Sequence, residues 1–266
     1  MKISKMGLPS KGISNAFIAG DWHSGAINKP TFNILLEHAR NLPPDMRNLI
    51  INGDFVDVGH LMKRDENFKK WFKRSDGIDE YFIPVSDMEF EWANECLDRL
   101  QDVFKEIIFV YGNHDWRYDW FQGIISPAYS HNFDLKSKIN LDKRGIDWVG
   151  YNDWLDWGDH LSITHGMYHG TTCHKKHYEA CGANNVIFSH VHSHEVRAFQ
   201  VRGNTRNSIS LPAMCDLNPD YIRNSENNWS NGYGQILMRP SGEFNFYCHQ
   251  IWDNKLHLPE GYVIEG

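Results

Sequence analysis

Five short blocks rich in metal-binding side chains follow one another along the chain: Asp21-Trp22-His23, Gly53-Asp54-Phe55-Val56-Asp57, Gly112-Asn113-His114-Asp115, His165-Gly166 and Ser189-His190-Val191-His192. Together they offer carboxylates, imidazoles and one amide, a donor mixture that suits borderline divalent cations such as manganese, iron or zinc. Any one block alone is weak, because a lone histidine beside a strand is more often a hydrogen-bonded structural group than a ligand. Five in series are harder to dismiss. In extended chain, side chains two apart share a side, so Asp21 and His23 are expected to reach one ion. His190 and His192 have the same spacing, but on a bending loop they can serve neighbouring ions.

The elements that must position these blocks are legible as apolar runs. Ala16–Ala19, Leu49–Ile51, Ile107–Val110, Leu161–Ile163 and Val186–Phe188 each run directly into a block, and short apolar runs bounded by Gly, Asn or Ser predict buried strands. Helices are expected over Thr31–Leu42 and Ser86–Phe104, the second opened by Ser86 and Glu89 as a capping box. This alternation predicts an α/β architecture, in which ligands gather beyond the carboxyl ends of the strands. Beyond residue 205, Ser208–Leu211, Gln235–Met238 and Glu243–Trp252 predict antiparallel additions. No repeat or linker interrupts the chain, so residues 1–266 are expected to form a single domain with a helical insertion around 60–95.

The order of the blocks resembles the calcineurin-like metallophosphoesterases, whose pattern is D-x-H, G-D-x-x-D, G-N-H-[D/E], H and G-H-x-H. The resemblance spans residues 21–192. It implies a β-sandwich of mixed sheets flanked by helices in α/β/β/α layers. By the same resemblance, Asp21, His23, Asp54 and His192 hold one metal, and Asp54 bridges to a second completed by Asn113, His165 and His190. Two cations kept within about 4 Å can bind both the attacking and the leaving oxygen of an in-line phosphoryl displacement. Manganese is expected ahead of iron or zinc, with a metal-bridging hydroxide as nucleophile. His114 then stands at the leaving oxygen as general acid, oriented by Asp57, whose charge would favour imidazolium.

Two departures sort the chain within the family. Ser189 stands where the pattern has Gly, which is tolerable if the backbone there avoids positive φ. Asp57 is followed by Val58-Gly59 rather than the Arg of the Ser/Thr protein phosphatases, and Asp115 stands in place of their Glu. The chain therefore looks closer to the exonuclease and phosphodiesterase members. A phosphodiesterase, acting on DNA, RNA or nucleotides, is expected first. The alternatives are a phosphomonoesterase or protein phosphatase, and a non-catalytic metal-binding scaffold. Arg117 and Arg197 are the candidate phosphate contacts in place of the missing Arg.

Composition limits the remaining readings. The chain has 266 residues, 15 of them His, and 27 Lys and Arg against 34 Asp and Glu, a net charge of −7 that argues against a generally basic nucleic-acid coat protein. Two bound divalent cations would offset part of that charge at the working site. Residues 63–74 (KRDENFKKWFKR) hold six basic residues around Phe68, Trp71 and Phe72, read here as an amphipathic helix with solvated lysines in preference to a nucleic-acid track. Five scattered Cys, without a C-x-x-C pair, predict neither a disulfide framework nor a zinc knuckle, and a reducing, cytoplasmic setting. No apolar run suits a membrane span, and the opening residues lack the apolar stretch of a secretory signal. Cys173, His174, His177 and Cys181 crowd one predicted helix between Thr171 or Thr172 and Gly182, read as buried thiols with solvated histidines. His194, one of the histidines outside the blocks, is expected at the rim of the substrate cleft.

Overall fold

A computed structural model describes residues 3–201, 203–218 and 227–266. In chain order the strands and helices are β1 (Ile3–Met6), β2 (Ser14–Ala19), α1 (Lys29–Arg40), β3 (Asn48–Asn52), α2 (Glu66–Trp71), α3 (Ile83–Gln101), β4 (Glu106–Val110), α4 (Asp115–Gln122), α5 (Pro127–Ser130), α6 (Leu135–Lys138), β5 (Asp147–Val149), β6 (Trp154–Trp157), β7 (Leu161–Thr164), α7 (Cys173–Ala180), β8 (Asn185–Phe188), β9 (Glu195–Val201), β10 (Asn204–Ser210), β11 (Asn231–Met238), β12 (Phe244–Ile251), β13 (Lys255–His257) and β14 (Val263–Glu265). Two six-stranded mixed sheets stack face to face. One has the order β12-β11-β2-β3-β4-β5 and the other β1-β6-β7-β8-β10-β9.

Strand periodicity explains the layering. Ala16 and Ile18 of β2, Ile50 of β3 and Val110 of β4 point inward against Leu161, Ile163 and Ile187 of the second sheet. The alternate residues Phe17, Ala19, Leu49, Ile51 and Phe109 point outward beneath α1, α3 and α4. Val186 and Phe188 face α7 on the opposite side. Both faces of the central strands are covered, which is why they read as unbroken apolar runs. The layers are α/β/β/α, as the family resemblance implies. All five predicted apolar runs are strands ending at the blocks.

Local chemistry moved several boundaries. α1 starts two residues before Thr31 because Asn28 caps it, accepting from Thr31 N at 3.0 Å, while Pro30 fits the first turn. α3 starts at Ile83, leaving Ser86 and Glu89 inside the helix, so they form no capping box. Both are buried and bond to other segments: Ser86 Oγ lies 2.8 Å from His60 Nε2, and Glu89 reaches the loop after β3. Within residues 63–74 only Glu66–Trp71 is helical, capped by Asp65; Phe68 is buried, whereas Phe72 is exposed. β11 and β12 are antiparallel as expected, but β10 pairs antiparallel with β9 and parallel with β8. The histidines of α7 are not solvated. His174 and His177 are both buried, the latter accepting through Nε2 from Met167 N at 3.0 Å. Among the described residues, no helix is long and apolar enough to cross a membrane.

A further histidine pair, one member buried and the other half-buried, lies outside the blocks. His38 of α1 lies 2.9 Å from the Tyr233 hydroxyl and packs edge-on against His249 of β12. Burial lowers the His38 pKa to about 4, opposed by Glu260; burial and the neighbouring His38 lower that of His249 to about 3. An unfolded imidazole titrates near ~6.5, so between that pH and about 4 the unfolded chain binds more protons than the folded one. This contribution to stability is complete above ~6.5 and is lost as pH falls, by about 1.4 kcal/mol per pH unit for each imidazole. The urea midpoint is expected to drop between about pH 7 and about pH 5, and less steeply in the His38→Gln variant. An identical slope in that variant would place the acid sensitivity elsewhere.

Candidate metal centre

All five blocks meet at one edge of the sandwich, beyond the carboxyl ends of β2, β3, β4, β7 and β8. The loops after β2 and β3 zip together through Asp21 N to Gly53 O (3.0 Å), Trp22 N to Asp54 O (2.9 Å) and His23 N to Asp54 O (2.9 Å). Trp22 plugs the helical side of the core against Phe32 and Phe55, which leaves Asp21 and His23 to the site. The D-x-H segment is not extended, however. Asp21 and His23 have φ of 53° and 44°, and Asp54, His190 and His192 are also left-handed at 49°, 73° and 57°. Ser189 itself is not in the left-handed region, so its side chain is tolerated; its hydroxyl accepts from Asn52 Nδ2 at 2.8 Å.

Close approach explains two glycines. A Cβ on Gly53 would collide with the His165 ring, and one on Gly112 with the Asp54 carboxylate and backbone. With these positions bare, donor atoms gather in three groups, each within 4.8 Å and two of them sharing His23: Asp21, His23 and His192; His23, Asp57 and His114; and Asp54, His165 and His190. His192 Nε2 is 3.4 Å from Asp21 Oδ1, and His165 Nε2 is 3.3 Å from Asp54 Oδ2 and 3.2 Å from Asn113 Oδ1. The carboxylates are aimed by backbone donors, with His190 N on Asp21 Oδ2 (3.0 Å) and His114 N on Asp54 Oδ1 (2.8 Å).

The second ring nitrogen of each imidazole decides what the first can do. His165 Nδ1 donates to the Asn52 carbonyl at 2.8 Å, so in the neutral ring Nε2 presents a lone pair toward two oxygen acceptors. His23 Nδ1 pairs with Asp57 Oδ1 at 3.0 Å, and its buried Nε2 has no hydrogen-bond partner. With His165 neutral, lone pairs and carboxylates converge without a donor between them, an arrangement that fits a cation in place of the proton. Charges respond accordingly. Burial would raise Asp21 and Asp54, but His192 and His165 beside the first, and His165 and His114 beside the second, hold both below the usual carboxylate range. Burial opposes protonation of His165, but Asp54 and Asp21 raise it to about 9; burial and the nearby His165 push His190 to about 4.

His114 departs from expectation in one respect. Its Nδ1 bonds the Asp57 backbone carbonyl at 2.5 Å, whereas the Asp57 carboxylate lies 3.9 Å away and is turned toward His23. Burial lowers the His114 pKa, against the pull of Asp54 and Asp57. The two arginines also separate. Arg117 is half-buried on α4, makes no ion pair among the described residues, and leaves Nε without a partner. Burial and the neighbouring Arg64 lower its pKa, with Asp54 opposing. Arg197 is exposed and paired with Glu195 at 3.0 Å, beside a cleft of about 430 Å³ that also borders His190 and Trp229. His194 is half-buried, with Nδ1 donating to Ser210 O at 2.9 Å. Cys173, His174, His177 and Cys181 do not gather as a further metal group among the described residues.

The supporting roles of several residues escaped sequence reasoning, Asp115 of the third block among them. Asn52 Nδ2 ties the first sheet to Thr164 O (3.0 Å) and Ser189 Oγ in the second. Asp115 accepts from Phe55 N, Val56 N and Gly112 N at 3.0, 3.2 and 2.8 Å. Its position after Asn113-His114 was the available signal. Glu89 had none, being distant in sequence from every block.

Residues 15–207 match the model of the calcineurin-like phosphoesterase family. Among solved structures, the chain is similar to Vps29 from Entamoeba histolytica complexed with Zn2+, at 12% identity over 94% of this chain and 96% of that one, with a TM-score of 0.46. It is also similar to vacuolar protein sorting 29 from Cryptosporidium parvum (11%, 95% and 96%, 0.46) and to nuclease MPE from Pseudomonas putida (15%, 88% and 86%, 0.35). A comparison with curated proteins found no match.

Calorimetric titration with Mn2+ tests the donor set directly. His23→Ala is expected to weaken uptake at least about tenfold, since even outer partners of metal ligands commonly matter that much. An unchanged isotherm would remove His23 from the ligands.

Proposed function

The chain belongs to the calcineurin-like phosphoesterase family, and on that premise we propose that it is a dinuclear metal-dependent phosphoesterase that hydrolyses phosphodiester bonds. The observation that carries this reading is the unpartnered, buried His23 Nε2 beside Asp21 and His192, next to the second group of Asp54, His165 and His190. Asp21, His23 and His192 would hold one cation, Asn113, His165 and His190 the other, and Asp54 both. Two divalent ions, manganese before iron or zinc, supply Lewis acidity toward a phosphoryl oxygen and lower the pKa of water when bound.

The chain's own residues do the rest. A carbonyl only accepts, so His114 keeps a proton on Nδ1 against Asp57 O and leaves Nε2, 4.0 Å from Asp54 Oδ2, for the reacting group. In its protonated form His114 donates from Nε2 to the leaving oxygen. Asp57 acts on two rings, its carboxylate turning His23 and its carbonyl turning His114. Arg117, free of a carboxylate partner among the described residues, neutralises a non-bridging oxygen of the substrate. Arg197 borders the cleft beside His190, where one arm of a diester, nucleic acid or nucleotide among them, would lie. The scattered, odd number of cysteines supports a reducing, cytoplasmic setting.

One panel separates the readings: Mn2+-loaded protein with a mononitrophenyl phosphate, a bis-nitrophenyl diester, and single- and double-stranded DNA. Diester turnover is expected, abolished by chelation and lowered by about 10²–10⁴ in His114→Ala. Monoester-only turnover would point to a phosphomonoesterase, and silence on every substrate with two tightly bound ions to a scaffold. In an active enzyme, Arg117→Ala is expected to raise KM for the diester about tenfold, the weight of one hydrogen bond to a charged group. An unchanged KM would remove Arg117 from the substrate contacts.

A further inference from the structure

We propose that Glu89 is a positioning residue for this chemistry: from α3 it holds the Asp57–Val58 backbone in place and so aims both His23 and His114. The inference rests on the phosphodiesterase reading for its kinetic consequence, but on geometry for its mechanism. Glu89 is buried in the middle of a helix that contributes no residue to any of the five blocks. A buried carboxylate is costly unless its oxygens are satisfied, and here every donor comes from beside the site. Oε1 accepts from Asp57 N at 2.7 Å and Val58 N at 2.8 Å, and Oε2 from the Tyr118 hydroxyl at 2.6 Å.

Each partner leads to a functional group. Asp57 sets His23 through its carboxylate and His114 through its carbonyl. Val58 is a β-branched residue in the left-handed region (φ 49°), a conformation that the Glu89 bond to its N–H helps to retain. Tyr118 lies one turn beyond His114 on α4, and its buried hydroxyl ties that helix to the same carboxylate. Glu89 thus joins the loop that carries Asp57 to the helix that begins at His114, and without it three donors, two of them fully buried, lose their acceptor.

The test compares Glu89→Gln, Glu89→Ala and Tyr118→Phe by thermal midpoint, Mn2+ calorimetry, and kcat and KM on the bis-nitrophenyl diester. Glu89→Gln keeps an oxygen for the two N–H donors and is expected to stay near wild type. Glu89→Ala, assayed well below its unfolding midpoint, is expected to bind Mn2+ at least about tenfold more weakly and to lose about 10–100-fold in kcat, with KM moving less. A folded Glu89→Ala that matches wild type in affinity and kcat overturns the proposal. So does a folded Glu89→Gln as impaired as the alanine variant, because accepting the N–H donors would then not be what matters. Should Glu89→Ala not fold, Tyr118→Phe decides: a several-fold lower kcat supports the link, and an unchanged one overturns it. If wild type turns over no phosphoester yet Glu89→Ala still loses Mn2+ affinity, the positioning role stands and the phosphodiesterase reading falls.

Discussion

Two carboxylates buried side by side dominate this fold. Asp21 and Asp54 are 0% and 2% exposed at the seam between the two sheets, and removing such charges from water costs several kcal/mol each unless something positive or hydrogen-bonding faces them. Everything near the seam answers that demand. Backbone N–H groups of His190 and His114 point at the carboxylates, and His165 and His192 stand within 3.3–3.4 Å of them. Because protonated imidazoles and cations would compete for the same oxygens, a cation taken up here would displace protons. The same need explains the bare positions Gly53 and Gly112, where a methyl group would push a ring or a carboxylate away.

Bringing donors from five strand ends onto two carboxylates strains the backbone. Five of the seven candidate ligands are left-handed non-glycine residues, each costing roughly 1–3 kcal/mol relative to a relaxed conformation. Such a cluster persists only where surrounding structure over-determines it. Here the determinants are the run of N–H groups that the loop after β2 donates to carbonyls of the loop after β3, the Asp115 carboxylate across three backbone donors, and Asn52 stitching one sheet to the other. At those five residues a sharp reversal turns the side chain from the strand direction back into the seam, whereas Asn113 and His165 reach it from ordinary backbone.

How far these features were legible depends on their range. The five strands, the blocks at their ends and the α/β/β/α layering follow from local apolar runs and ordered motifs, since strand burial on both faces leaves a mark in every residue. Asp21 and His23 nevertheless converge through left-handed turns, not through the extended chain that their spacing predicts. The short strands β1, β5 and β6, the first two at sheet edges, carry no clean alternation, and β9 begins three residues after the fifth block. Solvation of His174 and His177 was misjudged because their partners, Ser208 and Met167, lie on other segments. Side-chain direction at Asp57 was equally invisible. One residue offers a carboxylate and a carbonyl, and only the fold shows that the first turns to His23 and the second to His114.

Ser86 and Glu89 show why the boundary lies there. Their spacing satisfies a local rule for helix starts, and a chain read locally assigns them to the cap. In the folded protein a wide helical turn over Ile78–Phe82 runs straight into α3, with Pro84 just inside it, so Ser86 stands at no helix start and both side chains are released for tertiary bonds. A glutamate well inside a helix can reach a neighbouring loop, whereas a capping glutamate is folded back on its own backbone. The early start of α3 therefore does more than move a boundary by three residues. It delivers a buried acceptor to the loop that aims two imidazoles, and it makes the helical segment between β3 and β4 part of the geometry of the site.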